Sequence, residues 1–352
     1  MINLRFVDFF AGIGGFRLGL ESVGFECVGH CEIDKYAEKS YRAIHRPKEN
    51  EWYAGDIRSV RPEEIHDADI WAGGFPCQAF SVAGKRGGFE DTRGTLIYEI
   101  FRLAAERKPK ILILENVKGL LNHEKGRTFG VILNSLGELG YDVEWELLNS
   151  KNFGVPQNRE RVFIVGHLGD GSRGKVFPLG PNGSEIVELQ GEENGIKQVG
   201  NIHQNVRKRE NPNTGRVYSP EGISPCLNTM QGGGLEPKIV IPTAQDRHGV
   251  MITEPTVCEE RVDEGLRFFK DNICGTLRTV SDCGDKRVIY PSYRIRRLTP
   301  KECFRLQGFP DWAYERAAEV VSNSQLYKQA GNAVTVNVVA AIAERIQRRR
   351  GW

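Results

Sequence analysis

Up to about Gly169 the chain switches repeatedly between short unbroken apolar runs and longer stretches whose apolar residues recur every three or four positions. LRFVDFF (4–10) is a run of the first kind, and GIGGFRLGLESVG (12–24) follows it at helical spacing. ECVGHCE (26–32) and IDKYAEKSYRAI (33–44) repeat the pair. Further strands are predicted at IWAGGF (70–75), KILILE (Lys110–Glu115) and ERVFIVGHL (160–168), with helices at TLIYEIFRLAAERK (95–108) and TFGVILNSLGELG (128–140). Such alternation predicts an α/β fold built on a doubly wound, mostly parallel sheet with helices on both faces.

The alternation stops at GDGSRGKVFPLGPNGSE (169–185), a glycine- and proline-rich connection, and from Gly180 to Arg294 only short strand-like pieces occur. Helical spacing resumes in RRLTPKECFRLQG (296–308), with Thr299 as the cap and Pro300 in the first turn. VTVNVVAAIAERIQRRR (334–350) closes the chain as an amphipathic helix whose apolar face needs the sheet of the first region to cover it. The middle holds one internal repeat. EGISPCLNTMQGGGLEPKIVIP (221–242) and DNICGTLRTVSDCGDKRVIYP (271–291) share Ile-x-x-[Cys/Thr]-Leu-x-Thr, then glycine, basic residues, an apolar strand and proline. One pair is too few for a solenoid, which leaves two similar hairpins or duplicated recognition loops.

Composition adds exclusions. At 352 residues there is room for two domains, and a net charge of +2 marks neither a basic nor an acidic protein. No apolar segment approaches the ~20 residues of a membrane span. MINLRFVDFF lacks the basic and apolar regions of a signal peptide, so a cytoplasmic protein is expected. The eight scattered cysteines suit a reducing compartment better than a disulfide framework. Cys27, His30 and Cys31 have no second pair at zinc-site spacing, and no metal site is expected.

Four motifs carry chemistry. In DFFAGIGG (Asp8 to Gly15) a strand runs into a glycine turn and a helix, where backbone can approach a ligand closely. The spacing departs from G-x-G-x-x-G because Arg17 stands where the third glycine would be. Glu32, at the end of the second strand, can accept hydrogen bonds from ribose hydroxyls, and Asp56, after YAGD, can meet an adenine amino group. Alone, this set fits a nicotinamide dinucleotide as well as any other adenosine cofactor. In the second motif, GGFPCQAFSVAGKRGGFEDTRGTL (Gly73 to Leu96), an apolar strand ends on Pro76-Cys77 before a basic loop hinged by Gly84, Gly87, Gly88 and Gly94. The third, ILILENVKG, ends another strand on Glu115, where partial desolvation would raise the carboxyl pKa. In the fourth, PQNRERVFIVG, Arg159 and Arg161 lie two apart and share a face, suited to an anion or a polar carbonyl.

Taken together, a thiol, a carboxylic acid and an arginine pair beside an adenosine site fit the activation of a pyrimidine. Thiolate attack at C6, with protonation of a ring nitrogen, makes C5 a carbanion equivalent able to accept a methyl group. In order, the chain carries DFFAGIGGFRLGLE, GGFPCQAFSVAG, ENVKGL, PQNRERVFIVG, RRLTPKECFRLQGFP and QAGNAVTVNVV. These blocks resemble those of the bacterial DNA (cytosine-5)-methyltransferases, and they span the chain except for its variable middle. The loop GKRGGFEDTRGTL is similar to that of the short enzymes acting on GC-containing tetranucleotides.

The resemblance implies the S-adenosylmethionine-dependent methyltransferase fold over 1–178, a smaller, mainly β target-recognition domain at 179–297, a connecting helical region at 298–321 and a C-terminal segment, 322–352, returning to the catalytic domain. It implies Cys77 as nucleophile, Glu115 as the acid protonating N3, and Arg159 with Arg161 as the pair holding the cytosine carbonyl. For the cofactor it implies Phe10, Gly12, Ile13, Gly14 and Gly15, then Glu32, Ile33, Asp56, Ile57, Pro76 and Leu96, and finally Asn332, Ala333 and Val334. For double-stranded DNA it implies Gln78, Ser81, Lys85 and Arg93 in the loop, and Arg216, Cys226, Leu227, Gln231, Thr276 and Leu277 in the middle region. The family presents a Thr-Leu pair to its target. Here the first repeat reads Cys226-Leu227 and the second Thr276-Leu277; the first, with its GGG and with Arg216 upstream, is favoured. A stacked cytosine must be rotated out of the duplex to be attacked, and a glycine-hinged loop can close over it. The DNA contact must be local, since residues 179–297 hold 16 Lys and Arg against 16 Asp and Glu. A monomer is expected, paired with a restriction endonuclease acting on the same site or standing alone. The alternatives are an RNA cytosine-5 methyltransferase on the same core, a nicotinamide-dependent oxidoreductase, and a DNA-binding protein that has lost catalysis. The second of these leaves Cys77, Glu115 and the arginine pair without a joint role.

Overall fold

The computed structural model of the protein describes residues 3–76, 96–169, 175–179, 195–201, 216–229, 237–242, 256–261, 265–268, 286–289 and 293–348. Cys77, Gln78, Ser81, Lys85, Arg93, Gln231, Thr276 and Leu277 lie outside the described residues. The chain forms two compact units, one from 1–194, 223–235 and 299–352, the other from 195–222 and 236–298.

The first unit is built on a seven-stranded sheet. Its strands are β1 (Arg5–Phe9), β2 (Glu26–Cys31), β3 (Trp52–Ala54), β4 (Ile70–Gly74), β5 (Ile111–Val117), β6 (Tyr141–Asn149) and β8 (Glu160–Leu168), in the order β3-β2-β1-β4-β5-β8-β6. The first five run parallel, and β8 runs antiparallel to both β5 and β6. Successive side chains of a strand point to opposite faces. Ile111 and Ile113 therefore enter one core with Phe6, Ile70 and Phe163, while Leu112 and Leu114 enter a second with Val7, Trp71 and Ile164. Unbroken apolar runs in the sequence mark these doubly buried strands.

Helices α1 (Gly15–Glu21), α2 (Lys35–His45), α3 (Leu96–Arg107) and α4 (Arg127–Glu138) fall where helical spacing predicts them. Asp34 caps α2 by accepting from Tyr36 N at 2.9 Å and Ala37 N at 3.3 Å. Strand β6 is missing from the sequence-based expectations, although Val143, Trp145 and Leu147 alternate with its carboxylates in the period of a half-buried strand. It is an edge strand carrying Asp142, Glu144 and Glu146 on alternate positions, so no apolar run announces it. Those carboxylates are used: Glu144 accepts from Val176 N and Phe177 N, and Glu146 from Leu179 N, at 2.6, 3.0 and 2.8 Å.

Four helices follow the second unit in sequence: α5 (Pro300–Leu306), α6 (Asp311–Ala318), α7 (Asn323–Asn332) and α8 (Val336–Gln347). Thr299 and Glu302 form a reciprocal capping box at the start of α5. The apolar face of α8, Val338, Val339, Ile342, Ala343 and Ile346, joins the core that holds Phe16 and Leu20 of α1. The two helices approach so closely at Gly19 that a Cβ there would lie 2.6 Å from Val339 Cβ. A two-residue strand, β7 (Gln157–Asn158), pairs in parallel with β11 (Ser224–Pro225), so the chain leaves the second unit briefly to add a piece to the first.

Among its described residues the second unit has only strands as regular elements. β9 (Gln198–Asn201), β10 (Arg216–Tyr218), β12 (Lys238–Pro242) and β16 (Tyr293–Arg297) form one sheet in the order β16-β12-β10-β9. β13 (Thr256–Arg261), β14 (Gly265–Phe268) and β15 (Lys286–Ile289) form a second, with β13 central.

Candidate active site

β1 pairs with β2 on one side and β4 on the other, so the strand order reverses beside β1. In an open α/β sheet ligands bind outside the carboxyl ends of the strands at such a point. Four parallel strands end there in register: Phe9 lies opposite both Cys31 and Gly73, and Gly74 opposite Glu115. A cavity of about 710 Å³ opens at this edge.

One side of the cavity is the turn after β1. Phe10, Gly12 and Gly14 take left-handed backbone angles, with φ of 54°, 57° and 80°. A chain reversal this tight is inexpensive for the glycines and strained at Phe10. Glu32, at the end of β2, clamps the turn by accepting from Gly12 N at 2.7 Å, and it accepts from Asp34 N at 2.7 Å through its other oxygen. Burial pushes the Glu32 carboxyl above its ordinary range, and the two backbone donors pull it back. Beside it Ile33 is 66% exposed, an apolar side chain left open at the cavity wall. Asp56, held by Arg58 at 2.7 Å, and buried Ile57 continue the wall.

The other side carries the acid. Glu115, near the end of β5, pairs with Arg161 at 2.9 Å. Burial raises the Glu115 pKa above the usual carboxylate value, while Arg161 and Arg159 oppose the shift. The arginines reach this edge because β8 is antiparallel, which sets Arg161 opposite Val117. Asn116 turns to the other side of β5 and donates to Phe75 O at 2.8 Å, fixing the exit of β4 at Phe75-Pro76, where the chain leads into Cys77.

Arg159 does something the sequence does not announce. It is 3% exposed, and its Nη1 donates to Leu227 O at 3.2 Å and meets Cys226 Sγ at 3.5 Å. Nη2 donates to Gly331 O at 3.2 Å and Ala333 O at 2.8 Å, leaving only Nε without a partner. Burial and the neighbouring Arg161 lower its pKa to about 10, so it stays charged at neutral pH. Gln157, fully buried, accepts from Leu227 N at 3.0 Å and donates to Leu306 O at 2.8 Å. Leu227 is thus 2% exposed with both backbone groups held in the first unit, whereas Cys226 is exposed, with Arg161 Nη2 3.9 Å from its sulfur. Arg216 lies on β10 in the second unit.

Of the residues expected around a cofactor, Phe10, Gly12, Glu32, Ile33, Asp56, Ile57, Pro76, Leu96 and Asn332 line the cavity. Glu115, Arg159 and Arg161 line it too. Ile13, Gly14, Gly15, Ala333 and Val334 are buried behind that wall; a Cβ on Gly15 would lie 2.6 Å from Val334 O. Lys328 and Gln329 also line the cavity, and sequence reasoning passes over them. Lys328 reaches Asp34 at 2.6 Å and Gln329 donates to Tyr36 O at 3.0 Å, contacts nearly 300 residues apart in the chain. Cys27 and Cys31 fall on opposite faces of the sheet, because a bulge in β2 makes Phe6 face Cys27 and Val7 face Gly29.

The donor set suits S-adenosylmethionine. Each Glu32 oxygen retains acceptor capacity for ribose hydroxyls, Ile33 offers uncovered apolar surface for a base, and Asp56 remains an acceptor at the rim. Glu115 and Arg161 stand across the same cavity, so a substrate ring there would meet an acid and a guanidinium together.

Comparison with known proteins agrees. The family model "C-5 cytosine-specific DNA methylase" matches residues 4–348. The orphan methyltransferase M.SPRI of Bacillus phage SPR is 36% identical, over 97% of each chain. The type II methyltransferase M.HpaII of Haemophilus parainfluenzae is 37% identical, over 99% of this chain and 92% of its own. Among solved structures, the Dnmt2 methyltransferase of S. pombe superposes with a TM-score of 0.65 at 19% identity, covering 98% of this chain and 99% of that one, a likeness of fold. The alternation of strands and helices, the ligand edge beside β1 and the whole-chain match together make this chain a member of the C-5 cytosine-specific DNA methylase family.

Proposed function

We propose that the protein methylates C5 of cytosine within one short double-stranded DNA sequence, using S-adenosylmethionine, on a base rotated out of the duplex. The observation that carries this reading is the shared cavity: Glu115 and Arg161, 2.9 Å apart, face the wall formed by Gly12, Glu32, Ile33 and Asp56, with Pro76 leading into Cys77 at its edge. Cys77 attacks C6 of the extruded base, and Glu115, whose pKa burial raises, delivers a proton toward N3; once C5 has taken the methyl group, loss of the C5 proton expels the Cys77 thiolate from C6. Arg161 holds the ring carbonyl and orients Glu115. Arg159, whose guanidinium is taken up by backbone carbonyls, braces 226–227 and 331–333 around the pocket. Glu32 and Asp56 hold the adenosine portion of the cofactor, which supplies the electrophilic methyl group when bound. Lys85 and Arg93 neutralise phosphates, so affinity falls as salt rises. Target choice is carried by 195–298, the second unit together with the 223–235 segment that joins the first. One named relative is a type II methyltransferase and the other an orphan, and this chain either pairs with a restriction endonuclease acting on the same site or stands alone.

A duplex containing 5-fluorocytosine at the target tests the chemistry, because fluorine cannot leave as a proton does. The parent protein with cofactor should form a covalent complex that survives denaturing electrophoresis, and Cys77→Ala should form none. Equal trapping by the two proteins would remove Cys77 from the mechanism. Methylation of RNA but not of duplex DNA would restore the alternative polymer.

A further inference from the structure

The turn at Gly12–Gly14 is pinned from two sides, and only one of them belongs to the family motif. Glu32 holds Gly12 N from the cavity side. On the opposite side, His45, the last residue of α2, places Nε2 3.0 Å from the Ile13 carbonyl oxygen. A carbonyl only accepts, so Nε2 carries the proton and the ring is a donor. The ring also occupies the space in which a Cβ on Gly14 would stand, in direct collision with Nε2. His45 is itself held: Tyr41 packs against it with ring centroids 4.5 Å apart, and Arg17 donates to Tyr41 Oη at 3.4 Å and pairs with Glu51 at 2.7 Å. That network accounts for Arg17 standing where a dinucleotide fingerprint would have glycine. Burial and the Arg17 charge lower the His45 pKa to about 3, so the ring stays neutral.

We propose that His45 is a positioning residue for S-adenosylmethionine: its Nε2–H holds the Ile13 carbonyl and thereby sets the glycine turn against which the cofactor lies. The proposal rests on the cofactor reading above. Without the donor the Ile13 peptide loses its outer restraint, and cofactor binding must supply the order that His45 supplies here. The chemistry at Glu115 and Arg161 lies across the cavity and is untouched once cofactor is bound.

Three variants separate the donor from the packing. His45→Phe keeps a ring and removes the N–H, His45→Gln carries an N–H at the Nε2 position, and His45→Asn carries one that falls short. Calorimetric titration of each full-length protein with S-adenosylhomocysteine, without DNA, should show about tenfold weaker binding for the Phe and Asn variants and binding within about threefold of the parent for Gln. Steady-state kinetics should place the loss in KM for the cofactor, with kcat at saturation changed by less than about twofold. Should Phe not fold, the Asn and Gln pair still decides the matter. Binding by Asn equal to that by Gln, or a loss confined to kcat, overturns the proposal. Failure of the parent to bind S-adenosylhomocysteine would instead overturn the cofactor reading.

Discussion

At the residue scale, the proposed role of Glu115 as general acid ties the pH behaviour to its contact with Arg161. A general acid works below its pKa and fails as pH rises through it, so Glu115 defines the high-pH limb of the activity profile. Burial already lifts that pKa, and Arg161 pulls it down. Arg161→Met therefore lowers kcat and moves the high-pH limb to higher pH, because the carboxylate loses the cation that favours it. A pH–rate profile of the two proteins at saturating substrates checks this; an unmoved limb would detach Glu115 from the proton transfer. Residues of this kind are legible in the sequence because an apolar run that ends on a charged group marks a strand end. Asn116, Gln157, Lys328 and His45 are not legible. Their partners, Phe75, Leu306, Asp34 and Ile13, are brought to them only by packing.

At the scale of elements, local devices are readable and long-range ones are not. The box between Thr299 and Glu302 closes within one helical turn, and its spacing is visible in the chain. Thr299→Ala should cost about 1 kcal/mol, read as a lower urea midpoint with unchanged cofactor affinity. The seat of 226–229 on α7 is of the other kind. Gly331 lies so close to Asn228 that a Cβ would collide with the Asn228 carbonyl oxygen, and its own carbonyl accepts from Arg159. Gly331→Ala is expected to displace 226–229 and reduce methylation by about 10- to 100-fold. Kinetics compared with thermal unfolding would separate this from global loss of stability. A fully active variant would mean that the seat does not matter to catalysis.

At the scale of the whole molecule, we propose that chemistry belongs to the first unit and target choice to the segment 195–298. Replacing 195–298 with the corresponding segment of a relative of different specificity should transfer the methylated sequence, mapped by sequencing modified bases in a host that expresses only this chain. Exchange of 230–236 alone should shift the site, since that segment follows directly on residues seated beside Arg159 and Arg161, whereas exchange of 271–291 alone should leave it. The reverse result would assign reading to the second repeat. By itself the sequence determined the α/β class, the strand ends that carry Glu115 and Pro76, and the glycine turn, because each is written in side-chain periodicity over a few neighbours. The tertiary structure alone decided the direction of β8. In a parallel strand Arg161 would lie at the far edge of the sheet; running antiparallel, β8 delivers it to Glu115. Packing alone also decided that Cys226-Leu227 leaves the middle region to lie under Arg159. Neither depends on local propensity. Both follow from which surfaces remain to be buried once the sheet has formed, a property of the folded chain as a whole.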